Sequence, residues 1–330
     1  MIIAFLVFYF TFLPLSDKED VNAISFDPLL SVFDIGTVQS LIVEKNGKII
    51  TEHYKGSNHS GRHTNIKSAS KSVLSLLVGI AIDRGYLDGT DQTIADFFPD
   101  YFEKNPDSKK ESITIQDLLT MRTGLESTSF RNYGRWVLSS NWAEFALNQP
   151  MVNEPGSEMV YSTGSSHLLS VILTRATGMS TLQFGNRYLF GPMNITIGGW
   201  DRDPQGFYMG GNNMAMTPAD LLKIGKLMMN TGNYNGEQLV PQEWIQESLQ
   251  VYGSSSFNPY DYGYMWWSKT VENHIVYFAW GNGGQYIMIL PELGSVISIT
   301  SSLNNSGSRR YQRQIFQYLG EEIIPFIKGN

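Results

Sequence analysis

Residues 67–82 read KSASKSVLSLLVGIAI, a short polar segment followed by a long apolar run. The run predicts a buried helix that begins at about Ser68 and ends at Arg84-Gly85, where a cationic last turn precedes a glycine cap. Ser68 and Lys71 lie three residues apart, so they share one face of the first helical turn. No other lysine of the chain has a serine three residues before it, which sets this pair apart from the rest of the sequence.

The Ser68–Lys71 pair predicts covalent catalysis. A serine hydroxyl is a weak nucleophile until a base removes its proton, and a lysine one turn away can remove it when its own pKa is lowered. The N-terminal end of a helix also favours the negative charge that develops during the attack. The alternative interpretation is structural: Ser68 caps the helix and Lys71 is exposed to solvent.

The composition excludes several other functions. The chain has 330 residues, enough for two lobes with a sizeable core, and its formal net charge of −7 argues against a nucleic-acid partner. It has no cysteine, which excludes disulfides, thiolate metal sites and a cysteine nucleophile. The five histidines form no zinc motif and there is no Gly-x-Ser-x-Gly sequence, so we expect neither a metal site nor an α/β-hydrolase.

Residues 2–15 are uncharged and almost wholly apolar, and charged residues begin at Asp17. This stretch is short for a membrane span and suits the core of a signal peptide. We therefore interpret residues 1–20 as a signal peptide or an uncleaved N-terminal anchor. We expect an exported protein, periplasmic or extracellular, that could associate with a membrane through this segment. Residues 21–330 are expected to form one domain.

The order of the predicted elements indicates the fold class. Val38–Tyr54 is predicted to form a β-hairpin with its turn at Asn46-Gly47. Three more strands and a final helix are predicted at residues 274–280, 285–290, 296–302 and about 308–326. We expect an α/β two-lobed fold. A five-stranded antiparallel sheet flanked by helices comes from residues 21–85 and 200–330, an all-helical lobe comes from residues 86–199, and the active site lies at the seam.

Two further segments could complete a catalytic site. Tyr161 lies in a loop that leads into a predicted helix, and a tyrosine beside a lysine can relay a proton. We expect the Lys71 and Tyr161 pKa values both to be lowered, because the two groups are crowded together and burial disfavours the ammonium. The alternative is that Tyr161 is only a packed aromatic. Residues 280–285, WGNGGQ, join two strands, and the backbone amides of Ser68 and Gln285 could form an oxyanion hole. The alternative is an ordinary hairpin loop.

With these three motifs the chain resembles the serine β-lactamase and penicillin-binding-protein superfamily. Within it, the chain is most similar to the class C β-lactamase-like branch, which includes esterases and 6-aminohexanoate-dimer hydrolases. Further similar segments lie at residues 113–125, 189–193 and 262–267. The resemblance implies that Ser68 is acylated, that Lys71 and Tyr161 share the proton transfers, and that no metal or organic cofactor takes part.

Two departures from the family pattern bear on the substrate. Thr163 stands where class C β-lactamases have an asparagine, and Asn282-Gly283-Gly284 replaces a Lys-Thr-Gly motif. An asparagine cannot supply the positive charge that would bind a substrate carboxylate. We therefore expect Thr163, Asn282, Gly283 and Gly284 to contact a substrate without that carboxylate. Tyr133 could line an apolar pocket or lid beside them; the alternative is that it belongs to the core of the helical lobe. His167 is expected to pack in a helix and not to act as a base.

These observations predict an exported serine hydrolase that cleaves a small ester, a linear amide or a short peptide-like substrate. One alternative is a β-lactamase or a D-Ala carboxypeptidase. Another is a non-catalytic sensor or scaffold that retains the fold, although the presence of Ser68, Lys71 and Tyr161 together argues against it. The sequence leaves the oligomeric state open.

Overall fold

The computed structural model describes residues 28–56, 60–303 and 309–330. The predicted signal peptide or anchor at residues 1–20 lies outside the described residues and stays a prediction. Within the described ranges, none of the helices has the length and apolar character needed to cross a membrane.

The described residues form one large sheet, two small sheets and twelve α-helices. The strands are β1 (Val38–Lys45), β2 (Lys48–Tyr54), β3 (Thr64–Asn65), β4 (Gly199–Trp200), β5 (Met214–Met216), β6 (Asn233–Tyr234), β7 (Glu237–Gln238), β8 (Gly253–Ser254), β9 (Asp261–Tyr262), β10 (Trp267–Val271), β11 (His274–Gly281), β12 (Gln285–Leu290) and β13 (Ser295–Ser301). The helices are α1 (Ser70–Asp83), α2 (Pro99–Lys104), α3 (Ser108–Glu111), α4 (Ile115–Leu119), α5 (Tyr133–Val137), α6 (Trp142–Leu147), α7 (Thr163–Thr177), α8 (Thr181–Gly185), α9 (Pro218–Met229), α10 (Gln242–Ser248), α11 (Arg309–Tyr318) and α12 (Ile324–Gly329).

The large sheet is antiparallel, with the strand order β2-β1-β13-β12-β11-β10-β9-β8. The expected five strands, β1, β2, β11, β12 and β13, are all present, and three shorter strands widen the sheet beyond β11. The widening begins at a tight turn of Glu272 and Asn273, which both have positive φ and join β10 to β11. That geometry is a two-residue hairpin turn whose usual sequence is Asn-Gly, so the sequence pattern did not reveal it.

Helices cover both faces of the sheet. On one face, α9 packs on β12 and β13, and Gly225 lets it approach closely, since a Cβ there would lie 2.4 Å from Val296 Cγ1. On the other face, Phe316 of α11 packs against Phe278 and Tyr286. The strand β12 turns alternate residues to opposite faces of the sheet. Because helices cover both faces, the residues on both sides of β12 are buried.

Helix α1 lies between the two lobes and is buried from Ser70 to Ala81, which leaves only its last two residues outside the core. It contacts α7 of the helical lobe and β11 of the sheet. The α-helix begins at Ser70, two residues later than expected, because a 3₁₀ turn at Lys67–Ala69 precedes it. Ser68 therefore lies in this tight turn at the seam between the lobes.

Candidate active site

Ser68 is partly exposed, and two hydrogen bonds fix the backbone just before it. The Ile66 N–H donates to the Met214 carbonyl at 2.8 Å, and the Lys67 N–H donates to the Asn65 side chain at 2.9 Å. Lys67 has a φ of +53°, a strained value for a residue with a side chain. The chain thus fixes the direction of Ser68 at some cost in backbone strain, as is common at functional sites.

Lys71 is buried, with only 1% of its surface exposed. Its Nζ lies 3.2 Å from Ser68 Oγ, 3.3 Å from Thr163 Oγ1 and 2.6 Å from the Gly211 carbonyl oxygen. Burial lowers the pKa of Lys71 to about 7, because the ammonium loses its water shell. A lysine with this pKa has a substantial neutral fraction near neutral pH and can accept a proton from Ser68.

The three acceptors around Nζ give the neutral amine a defined orientation. A neutral amine has two N–H groups and one lone pair, and a carbonyl oxygen can only accept a hydrogen bond. When the two N–H groups donate to Gly211 and Thr163, the lone pair is left for the Ser68 hydroxyl. This is the arrangement required of a general base.

Tyr161 lies beside this pair, with its ring centroid 5.1 Å from Lys71 Nζ. Burial raises the pKa of Tyr161 to about 12, and a hydrogen bond with Ser68 offsets part of that rise. The pKa of Lys71 is lowered as expected, and the cause is burial. The expectation of a lowered pKa is wrong for Tyr161, because burial raises its pKa by more than the hydrogen bond with Ser68 lowers it. At neutral pH the Tyr161 hydroxyl carries its proton and can donate it.

Thr163 and Ser129 form a second layer behind Lys71. Thr163 Oγ1 lies 2.9 Å from Ser129 Oγ, and the Thr163 N–H donates to the same oxygen at 2.9 Å. Thr163 is buried, so the structure places it against Lys71 rather than on an open substrate surface. Ser129 and the Gly211 carbonyl were not predicted from the sequence, since a serine in a loop and a backbone oxygen carry no motif.

The turn between β11 and β12 lies close to the nucleophile. A Cβ at Gly281 would lie 2.0 Å from the Ile66 carbonyl, so only glycine lets these two backbones meet. The Gly284 N–H donates to the Gly281 carbonyl at 3.1 Å, which closes a turn with Asn282 and Gly283 in its centre. Gly283 has a φ of +92°, as the third position of a type II turn requires. Asn282 is exposed at the tip of this turn.

The side chain and the backbone of Gln285 are both held by hydrogen bonds within the sheet. Its side chain is buried and exchanges two hydrogen bonds with the backbone of Ser301, and its backbone is paired with Gly281 in the ladder between β11 and β12.

The Gly281 carbonyl points toward β12, because it accepts from Gly284. The C=O and N–H of one trans peptide point in opposite directions, so the Asn282 N–H is directed to the outer edge of β11. This edge is free of β10, whose pairing ends at Phe278.

Tyr133 and His167 both contact the ring of Trp136, with ring centroids 5.8 Å away in each case. The Tyr133 hydroxyl accepts from Asn212 at 2.9 Å, one residue after Gly211. His167 is fully buried in α7, consistent with the expected packing role, and contacts Asp203. In the described ranges there is no group of three or more histidine, aspartate or glutamate side chains that could hold a metal ion.

A pocket of about 320 Å³ lies beside Tyr161. Its walls include Phe130, Val152, Val160 and Ser129, and Arg131 and Glu126 form an ion pair at 3.0 Å on its rim. Phe130 is 64% exposed, has a φ of +52°, and its ring lies 6.2 Å from the ring of Tyr161. Phe130 is therefore an exposed apolar side chain, in a strained backbone conformation, that lies next to Tyr161 and lines this pocket.

The comparisons with known proteins agree with this geometry. The family model described as Beta-lactamase matches residues 38–319. A 6-aminohexanoate-dimer hydrolase from Paenarthrobacter ureafaciens is 23% identical over 307 residues, which cover 82% of this chain and 74% of that protein.

Two solved structures show the same fold. A protein from Bacillus anthracis with the provisional name 6-aminohexanoate-dimer hydrolase has a TM-score of 0.72 at 19% identity, over 90% of this chain and 82% of its own. EstCE1, a hydrolase with promiscuous acyltransferase activity, has a TM-score of 0.71 at 18% identity, over 87% of this chain and 95% of its own. The predicted fold class is confirmed.

Proposed function

The chain belongs to the beta-lactamase family of serine hydrolases, and on that premise we propose that it cleaves carboxylic esters or linear amides through an acyl-enzyme on Ser68. The proposal rests on one observation above all. The buried Lys71 amine, with its pKa lowered to about 7, lies 3.2 Å from Ser68 Oγ. A hydroxyl beside a base of this pKa is an activated nucleophile at neutral pH.

In the acylation step, Ser68 Oγ attacks the substrate carbonyl carbon while its proton moves to the lone pair of Lys71. The tetrahedral intermediate that forms carries a negative oxygen. The Tyr161 hydroxyl then donates its proton to the leaving oxygen or nitrogen as the bond to carbon breaks. The Lys71 ammonium passes the proton that it took from Ser68 to the Tyr161 oxygen, so both groups return to their starting protonation states. Water next attacks the acyl carbonyl carbon and gives one proton to the Lys71–Tyr161 pair. The pair delivers that proton to Ser68 Oγ as the acyl C–O bond breaks, which releases the carboxylic acid and regenerates Ser68.

For the oxyanion hole we propose the backbone amides of Ser68 and Asn282, in place of Ser68 and Gln285. The Gln285 backbone is paired with Gly281 inside the sheet, whereas the Asn282 N–H is directed outward at the edge nearest the nucleophile. Backbone donors fixed in a turn stabilise a developing oxyanion without reorganisation.

The surroundings of the site support an uncharged substrate with an apolar chain. Asn282 supplies no positive charge, and Arg131 at the rim of the pocket is paired with Glu126. Phe130, Val152 and Val160 give that pocket an apolar lining. The names of two relatives, a dimer hydrolase and a hydrolase with acyltransferase activity, support acyl chemistry on linear substrates as a proposal for this chain.

The test compares wild type, Ser68→Ala and Ser75→Ala on a p-nitrophenyl short-chain ester and on an uncharged linear amide. Ser75 is the matched control, because its hydroxyl is buried in α1, the helix that follows Ser68, and has no hydrogen-bond partner among the described residues. We expect Ser68→Ala to lose activity with an unchanged circular dichroism spectrum and Ser75→Ala to keep it.

Mass spectrometry distinguishes the remaining alternatives. After exposure to a fluorophosphonate, we expect an adduct on Ser68 in the wild type and none in Ser68→Ala. Full activity in Ser68→Ala would refute the proposed nucleophile. A wild type that is folded, inactive and unlabelled would indicate a scaffold. A long-lived penicillin adduct or rapid penicillin hydrolysis would favour the penicillin-binding or β-lactamase alternative.

A further inference from the structure

A buried histidine–aspartate pair lies behind the catalytic lysine and takes no part in the chemistry described above. His167 Nε2 and Asp203 Oδ2 are 3.0 Å apart, and neither side chain has any exposed surface. The imidazole packs against both Trp136 and Trp142 in T-shaped contacts, with ring centroids 5.8 and 5.5 Å away.

The hydrogen bonds of His167 define its tautomer. The Gly210 N–H points at His167 Nδ1 at 3.4 Å, and a backbone N–H can only donate. Nδ1 must therefore accept, and the ring proton lies on Nε2, where it donates to Asp203. The other oxygen of Asp203 accepts from the N–H groups of Gln205 and Phe207, at 2.9 and 2.8 Å.

Gly210 connects this pair to the active site. The next residue, Gly211, provides the carbonyl oxygen that lies 2.6 Å from Lys71 Nζ. Both glycines fit closely: a Cβ at Gly210 would lie 2.3 Å from the Ser166 carbonyl, and one at Gly211 would lie 2.8 Å from Lys71 Cγ. The surrounding atoms leave this backbone little room to move, so the position of the carbonyl depends on what the preceding residue contacts.

Resting on the proposed function, we infer that His167 and Asp203 are positioning residues that hold the Gly211 carbonyl against the Lys71 amine. The chain of contacts runs from Asp203 through His167 Nε2–H, then from Nδ1 to the Gly210 N–H, and then through one peptide to the Gly211 oxygen. With this oxygen in place, an N–H of Lys71 is occupied and its lone pair faces Ser68. Neither His167 nor Asp203 exchanges a proton with the substrate.

This role has consequences that a packing role does not have. The Gly211 oxygen also accepts from the protonated amine, so moving it away would disfavour the ammonium and lower the pKa of Lys71. It would also leave the lone pair without a fixed direction. The ionisable side chain that faces Lys71 is Tyr161, and the one that faces His167 is Asp203; both are retained in the variants described next.

Two isosteric variants separate the two hydrogen bonds of the imidazole. In His167→Gln the amide nitrogen occupies the place of Nε2 and still donates to Asp203, but no acceptor remains for the Gly210 N–H. In His167→Asn the amide oxygen occupies the place of Nδ1 and still accepts from Gly210, but Asp203 loses its donor. Ser170→Ala is the matched control, because Ser170 Oγ joins the same helix to the same segment at the Tyr208 carbonyl.

We expect His167→Gln to reduce kcat on the order of 10- to 100-fold with little change in KM, the loss typical of a displaced catalytic group. We also expect its kcat/KM, which rises with pH, to level off at a lower pH than in the wild type. His167→Asn should melt at a lower temperature, yet keep the wild-type pH of that limb. Ser170→Ala should affect only thermal stability. Rates are compared per folded protein, measured by circular dichroism.

The ¹³Cε chemical shift of Lys71, assigned with a Lys71→Arg variant, reports the same titration without relying on activity. The ¹⁵N shifts of His167 in the wild type report the tautomer without any variant. The positioning role would be overturned if the rising part of the kcat/KM profile and the Lys71 titration both stayed at the wild-type pH in His167→Gln. It would also be overturned if the wild-type imidazole carried its proton on Nδ1. Activity in Ser68→Ala would instead overturn the proposed function, so the two failures can be distinguished.

Discussion

Replacement of Lys71 by methionine should stabilise the protein at low pH and abolish its activity. Methionine has a similar length and no charge, so it fills the same buried space without the penalty of a desolvated ammonium. The folded-state pKa of Lys71 is about 7, against 10.5 for an ordinary lysine. Between these values the unfolded chain holds the lysine proton and the folded chain does not, so the stability of the wild type rises with pH across this interval.

The size of the effect follows from the two pKa values. Each pKa unit corresponds to about 1.4 kcal/mol, so the fully developed penalty below pH 7 is about 5 kcal/mol. The penalty remains nearly complete at pH 6 and falls to between 1 and 2 kcal/mol, as an order-of-magnitude estimate, at pH 9.5. The stability advantage of Lys71→Met over wild type should therefore shrink by about 3 kcal/mol between these two pH values.

Urea denaturation at pH 6 and pH 9.5 measures this change directly. Methionine also removes the hydrogen bonds to Gly211 and Thr163, but that loss is the same at both pH values and cancels in the comparison. All other ionisable groups are shared by the two proteins. A stability difference that is equal at pH 6 and pH 9.5 would refute the conclusion that burial lowers the pKa of Lys71.

Two predictions concern catalysis. In the wild type, kcat/KM should rise with pH and level off as Lys71 loses its proton near pH 7. Tyr161→Phe should lower the plateau by roughly 10²–10⁴-fold and leave the limb in place; disappearance of the limb would assign it to Tyr161. Asn282→Pro should remove one oxyanion donor and cost on the order of 10²–10³-fold in kcat, because proline suits the second position of the turn but lacks an N–H. Asn282→Ala keeps the N–H and should retain most activity; equal rates in the two variants would exclude this amide.

The elements with strong local signals could be predicted from the sequence. The Asn46-Gly47 hairpin forms as expected, with both turn residues at positive φ, and α9 begins at Pro218 after its capping threonine. The β10–β11 hairpin was missed, because Glu272 is a residue type that rarely adopts positive φ, and no glycine follows Asn273 in the turn. The pairing of the strands holds both residues in this conformation. Local preference predicted the fold class, and tertiary contacts determined the width of the sheet.

The candidate site shows a similar division. Ser68 and Lys71 share a helical turn, so their contact follows from spacing alone, and the structure places Tyr161 and Thr163 beside them as well. The Gly211 carbonyl could not be predicted, because the segment that carries it lies 140 residues away and contributes a backbone atom. The choice between the Gln285 and Asn282 amides likewise depends on the direction of a peptide plane, which side-chain patterns do not reveal.

The lowered pKa of Lys71 explains why so much of the surrounding structure serves one amine. An unsupported lysine at this depth would gain stability by moving its amine toward water, since desolvation is the cause of its shift. Gly211, Thr163 and Ser68 prevent this by offering three acceptors at once, and two of them depend on further partners, His167 and Ser129. Arginine could satisfy the same acceptors, but it stays protonated at every physiological pH and could not act as the base. The site therefore requires an amine that can be neutral, and the fold must hold that amine where neutrality is favoured.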